Sequence, residues 1–176
     1  MNINLVLPLL DSLSFERLLW LVPIFFALHN LEEAPSMERW SKRLPLKIHP
    51  NVTTRQFTVA VTILSIIGFL ITYLEINYLH PSTGYLLILG LQAILLFNAF
   101  IPHIASTIGF RMYSPGVITA VLLTLPFSFY LFHRALNEHI LSSNQFWILL
   151  AIAPFATVIF AFTSLQFGKL WDKPQP

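Results

Sequence analysis

The chain contains no cysteine, and that absence excludes disulfides, thiolate nucleophiles, cysteine-ligated zinc and iron–sulfur clusters. Any metal must therefore be held by histidine, carboxylate or amide oxygen. Charge is almost as scarce. Ten basic and eight acidic residues leave a formal net charge of +2, too small and too scattered to point to nucleic acid. No Lys or Arg precedes Arg17, so the start lacks the basic region of a cleavable signal peptide, and the first helix is expected to stay in the mature protein. No internal repeat is evident, which disfavours an inverted-repeat transporter. Nothing in the sequence indicates an oligomeric state.

What the chain has in abundance is apolar surface: 56% of its residues are hydrophobic and sixteen are phenylalanine. Those proportions lie far outside the range of soluble domains and define an integral membrane protein. A membrane helix needs about 20 apolar residues. Charges and turn residues mark five such stretches, at about residues 13–31, 57–79, 85–108, 117–131 with some extension, and 146–167. All connections but the first are short. The expected fold is therefore all-α: one bundle of about five transmembrane helices, with residues 1–176 as a single domain.

Positive residues are retained on the cytoplasmic side. An outside N-terminus and a cytoplasmic C-terminus put Arg39, Lys42, Arg43, Lys47, Arg55, Arg111, Lys169 and Lys173 inside and leave only Arg17 and Arg134 outside. The chain is expected to be a multi-pass protein of the cell's inner, cytoplasmic membrane.

The same topology gathers polar residues at one end. The segment "HNLEEAPSMERW" closes the first apolar run with His29, Glu32 and Glu33. Asn98, His103, Ser106 and Thr107 fall at the same level, as does the turn "RMYSPG" of residues 111–116. In a helix His29 faces Glu32 at i+3 and Glu33 at i+4. The two glutamates are about 100° apart, so one can face the site while the other supports it. A helix C-terminus disfavours a carboxylate by roughly 0.3–1 kcal/mol, and desolvation adds to this. The pair therefore wants a divalent metal, a protonated His29 or His103, Arg111, or the basic loop after Arg39.

Asn98 and His103 are five apart, which is not a same-face spacing in an ideal helix, although a bend at Pro102 can bring them together. Ser114 is expected to cap the next helix, with Pro115 at its first position and free N–H groups open to an oxyanion or a lipid phosphate. The alternative for the cluster is a solvated helix end paired with Arg39 or Lys42. His49 is read as a solvated loop residue. Glu75, His80, His133, Glu138 and His139 are read as solvated on the outer side.

"HNLEE" fits the signature of the HXXEE-motif family, uncharacterised small bacterial multi-pass membrane proteins. The Asn and His of "NAFIPH" and the turn "YSPG" resemble that family's further polar signatures. The resemblance implies that His29, Glu32, Glu33, Asn98, His103, Tyr113, Pro115 and Gly116 form the functional set, and it implies an enzymatic role.

Three functions remain open. In the first, His29, Glu33 and His103 hold a divalent metal, zinc or iron. Glu32 is then the general base or a supporting carboxylate, and Asn98 or Tyr113 steadies the substrate or an oxyanion. Hydrolysis of a lipid or isoprenoid ester or amide suits that arrangement. In the second, a desolvated glutamate performs metal-free acid–base chemistry as an isomerase or cyclase of an apolar substrate. In the third, the chain is a non-catalytic transporter or accessory protein. The expected partner is a membrane lipid or a lipid-soluble small molecule.

Overall fold

The computed structural model describes residues 8–44 and 52–169. Lys47, His49 and Lys173, read above as basic or loop residues, lie outside that range. Among the described residues the structure is helical, with no strand. In chain order, α1 is Phe15–Leu19, α2 Leu21–Glu33 and α3 Met37–Arg43. They are followed by α4 (Thr54–Leu79), α5 (Leu86–Phe110), α6 (Val117–Asn137) and α7 (Ser143–Lys169). The last four are long and apolar enough to cross a membrane.

The first of the five expected spans is divided. Ser14 caps α1, its side chain accepting from the Arg17 amide, and the helix breaks at Trp20 before resuming as α2. Pro23 explains the break, because it has no amide to donate to the carbonyl of Leu19 four residues earlier. The long Ile24 N to Trp20 O contact of 3.4 Å marks the same weak turn. Helix α2 then continues to Glu33, so His29, Glu32 and Glu33 all sit in its last turns.

Helices α4, α5 and α6 each contain a widened π turn, at Glu75–Leu79, Ala99–Ala105 and Ala120–Thr124. Pro102 lies inside the second. Pro126 follows the third and removes the amide partner of the Leu122 carbonyl, which lies within it. Pro154 sits inside an otherwise continuous α7.

Leu18, Leu19 and Val22 pack with Ile88 and Leu89 of α5 and with Leu131 and Ala135 of α6. Hydrocarbon offers no hydrophobic drive between helices, so such contacts act by close packing and by interhelical hydrogen bonds. Asn30 supplies one of the latter, donating from Nδ2 to Ser65 Oγ at 2.8 Å and to the Val61 carbonyl at 3.3 Å. That bond fixes the rotation of α2 against α4 and leaves His29 and Glu33 facing inward.

At the opposite end Glu75 is fully buried, which corrects the expectation that it is solvated. Its carboxylate accepts from the amides of Leu87 (2.9 Å) and Ile88 (2.6 Å) and from Thr83 Oγ1 (3.0 Å). It caps the start of α5, where backbone amides would otherwise lack partners. His133, Glu138 and His139 are exposed as expected, and His80 is half-buried.

Candidate metal centre

Helix α2, the π turn of α5 and the start of α6 meet around three buried side chains: His29 (3% exposed), Glu33 (7%) and His103 (2%). The two Nε2 atoms are 3.0 Å apart. Glu33 Oε1 lies 3.7 Å from His29 Nε2 and 3.4 Å from His103 Nε2.

Neighbouring groups determine which ring nitrogens carry protons. Thr119 Oγ1 is 2.6 Å from Glu32 Oε2 and 3.1 Å from the Gly116 carbonyl, and the shorter contact takes its single hydrogen. It can then only accept from His29 Nδ1, at 2.9 Å. His29 Nδ1 is therefore the protonated nitrogen, and Nε2 presents a lone pair. Asn98 Nδ2, 2.9 Å from His103 Nε2, donates to that atom and puts the His103 proton on Nδ1. Nδ1 itself makes no well-aligned hydrogen bond, with the Pro115 carbonyl its neighbouring acceptor.

His29 Nε2, His103 Nε2 and Glu33 Oε1 thus converge on one point, with the His103 lone pair held by the Asn98 amide, which a cation bound there would displace. This donor set repels itself unless something positive lies between its members, and it fits a divalent cation. Zinc–nitrogen bonds of about 2.0–2.1 Å in a tetrahedral arrangement place neighbouring ligands about 3.3 Å apart, and the three observed separations bracket that value. The three residues together could hold a metal ion.

The adjacent glutamates are divided by function of position. Glu33 turns to the histidines. Glu32 turns to α6, where it accepts from Tyr113 Oη (2.5 Å), Ile118 N (3.1 Å), Thr119 N (2.7 Å) and Thr119 Oγ1 (2.6 Å). It connects to His29 only through Thr119. Tyr113, half-exposed in the turn before α6, has its phenol pushed up to about 12, by burial first and by the hydrogen bond to Glu32 second.

That arrangement corrects two expectations about the turn. Gly116, not Ser114, is the cap residue of α6, and Ser114 Oγ donates instead to the Pro102 carbonyl at 3.3 Å. The Ile118 and Thr119 amides are occupied by Glu32, so they are not free for an oxyanion. Neither Glu32 nor Glu33 pairs with Arg39, Lys42 or Arg111. Lys42 pairs with Glu38.

Gly116 is the residue that allows the centre to close. Its backbone is left-handed at φ +85°, and a Cβ there would meet His29 Cε1 at 2.6 Å, Glu33 Cγ at 2.8 Å and His103 Cε1 at 2.9 Å. All three candidate ligands rest on one missing side chain. Thr119 and Asn30 are the residues that sequence reasoning missed. The available signal for Thr119 was its place three residues after Gly116, on the first turn of a helix aimed at the cluster.

The fold and site define a helical membrane protein with a buried two-histidine, one-carboxylate centre beneath a proline-widened helix. The chain belongs to the HXXEE-motif family: the model described as "Protein of unknown function with HXXEE motif" matches residues 20–131, a span that contains every residue of the centre. A protein of Bacillus subtilis (strain 168), described as "Uncharacterized protein YrkK", is 24% identical over 149 residues, covering 85% of this chain and 92% of that relative. No solved structure matches the chain.

Proposed function

We propose that the chain is a metal-dependent enzyme of the cytoplasmic membrane, a hydrolase or related enzyme acting on a lipid or isoprenoid ester or amide at the cytoplasmic side. The observation that carries this reading is the convergence of His29 Nε2, His103 Nε2 and Glu33 Oε1 in a buried space. Zinc or iron would be held by these three. A divalent cation there supplies Lewis-acid polarisation of a carbonyl and lowers the pKa of water toward neutrality.

The chain's own groups divide the remaining work. Glu33, Asn98 and His103 line a cavity that continues between the helices, so substrate meets the centre on their side, while His29 backs it. Asn98 offers an amide to a substrate oxygen. Glu32, saturated by four donors, is the supporting carboxylate of the two roles expected for it; it orients His29 through Thr119 and holds the turn of Tyr113. The eight-to-two bias of basic residues supports the cytoplasmic placement.

One observation favours a second reading. The 3.0 Å between the two Nε2 atoms is also an ordinary N–H···N distance, so a proton can satisfy the pair and leave Glu33 as a metal-free acid or base facing the cavity.

Metal analysis of the detergent-purified protein separates the two. The expected result is stoichiometric zinc or iron in wild type and its loss in His29→Ala, Glu33→Ala and His103→Ala. A folded, active wild type without metal removes the first reading in favour of the second.

A further inference from the structure

The cavity that begins at the candidate metal centre has a volume of about 630 Å³ and runs along α4, α5 and α7. On α5 its lining extends from His103 back to Leu86, about 25 Å of helix at 1.5 Å per residue. One leaflet of hydrocarbon is roughly 15 Å thick, so the slot is longer than a leaflet. Its two ends differ in chemistry. Asn30, Glu33, Asn98, His103 and Ser114 line one end, whereas Ile71, Leu86 and Leu87 line the other.

Small residues recur along the space. Gly68 and Ala60 on α4, Gly90 on α5, and Ala153, Ala156 and Ala161 on α7 all line it. Helix α7 packs against both α4 and α5 and so covers the gap between them. A volume of this size drawn out over such a length averages about 25 Å² in cross-section, room on the order of one extended hydrocarbon chain.

We propose that this slot is the tail site for a single-chain lipid, a long hydrocarbon with one polar head, lying lengthwise with its head at Glu33 and His103 and its tail toward Leu86. This deepens the enzymatic reading above and rests on it for the head's chemistry. The tail site itself rests on the shape and lining of the slot.

The test uses the full chain in detergent, a hexadecanol carrying a diazirine at its far end, and a diacyl phospholipid analogue carrying the same group. Mass-spectrometric mapping is expected to place the alcohol's label on Leu86, Gly90 and Leu91 of α5, saturably, with displacement by unlabelled hexadecanol or geranylgeraniol. The diacyl analogue is expected to label only outward residues such as Phe155 and Phe162. A Cβ at Gly90 would meet Leu149 Cδ2 at an ordinary 3.6 Å, so a side chain can start there, and Gly90→Phe is chosen to fill the slot. It is expected to cut the interior label at least tenfold while leaving metal content at the wild-type level. If Gly90→Phe does not fold, Ala156→Leu blocks the slot from α7 instead. Equal interior labelling by the diacyl analogue, or full labelling in a folded blocked variant, overturns the proposal. Interior labelling in a protein that binds no metal leaves the tail site standing and removes only the metal reading.

Discussion

Asn98 Nδ2 lies 2.9 Å from His103 Nε2 although five residues separate them. In a regular α-helix that spacing sets two side chains about 140° apart around the axis. The π turn at Ala99–Ala105, with Pro102 inside it, replaces i→i+4 bonding with i→i+5 and stacks the two residues. The proline-containing π turn is thus what assembles half of the centre.

Replacing Pro102 by alanine restores an amide to the ladder and lets the helix return to its regular pitch. Pro102→Ala is expected to match or exceed wild type in thermal stability, yet to lose metal affinity at least tenfold, since His103 rotates away from His29 and Asn98. Competition against a chromophoric chelator measures this. Wild-type affinity in the variant would show that the π turn does not set the site.

Gly116→Ala tests the close packing of the centre on this residue. The added methyl collides with all three candidate ligands below 3.0 Å and also meets a left-handed backbone that costs about 1–2 kcal/mol for a non-glycine residue. The expected outcome is a folded protein, a few degrees less stable, with no stoichiometric metal. Retained metal would mean that the ligands do not converge over Gly116.

The neighbouring glutamates are expected to fail differently. Glu32→Ala leaves the first amides of α6 without their acceptor and turns the Thr119 hydroxyl to the Gly116 carbonyl, a loss of roughly 1–3 kcal/mol in stability, with metal affinity weakened about 10–100-fold through misplacement of His29. Glu33→Gln leaves that cap intact, so it is expected to keep wild-type stability and lose the metal. Thermal melting alongside metal stoichiometry separates the pair. Identical profiles for both variants would sink the division of roles.

These contrasts show where the sequence was legible. Convergence of His29, Glu33, Asn98 and His103 followed from polar residues recurring at the ends of apolar runs, because ionisable groups at those positions are costly without partners. Which glutamate faces which helix was not legible, since it depends on the rotation of α2 fixed by Asn30 bonding to Val61 and Ser65. The i+5 pairing needed the π turn, and a proline alone signals a kink without its type. Glu75 was misread because two of its three partners are backbone amides after the turn at Gly84 and Tyr85, both left-handed, and amides carry no residue signature. The first span's division at Trp20 was foreshadowed by Pro23 only as a bend.

The last prediction concerns pH and lies away from the centre. Glu38 on α3 accepts from Lys42 Nζ at 2.7 Å, from the Thr54 amide at 2.7 Å and from Thr54 Oγ1 at 2.9 Å, so one exposed carboxylate ties α3 to the start of α4. The Lys42 hydrogen bond first, then those from Thr54, hold its carboxyl down at about 2, against an ordinary 4.5. A depressed folded value means that the stabilising contribution is complete above the ordinary value and is lost as pH falls toward about 2. Melting temperature measured from about pH 5 to pH 2 should therefore fall more steeply in wild type than in Glu38→Gln, which has no carboxylate to protonate. Because the other acids titrate in both proteins, the difference between the two curves isolates Glu38. Parallel curves would show that the carboxylate does not couple α3 to α4, and the same comparison with Lys42→Ala, expected to show an intermediate slope, separates the ion pair from the Thr54 cap.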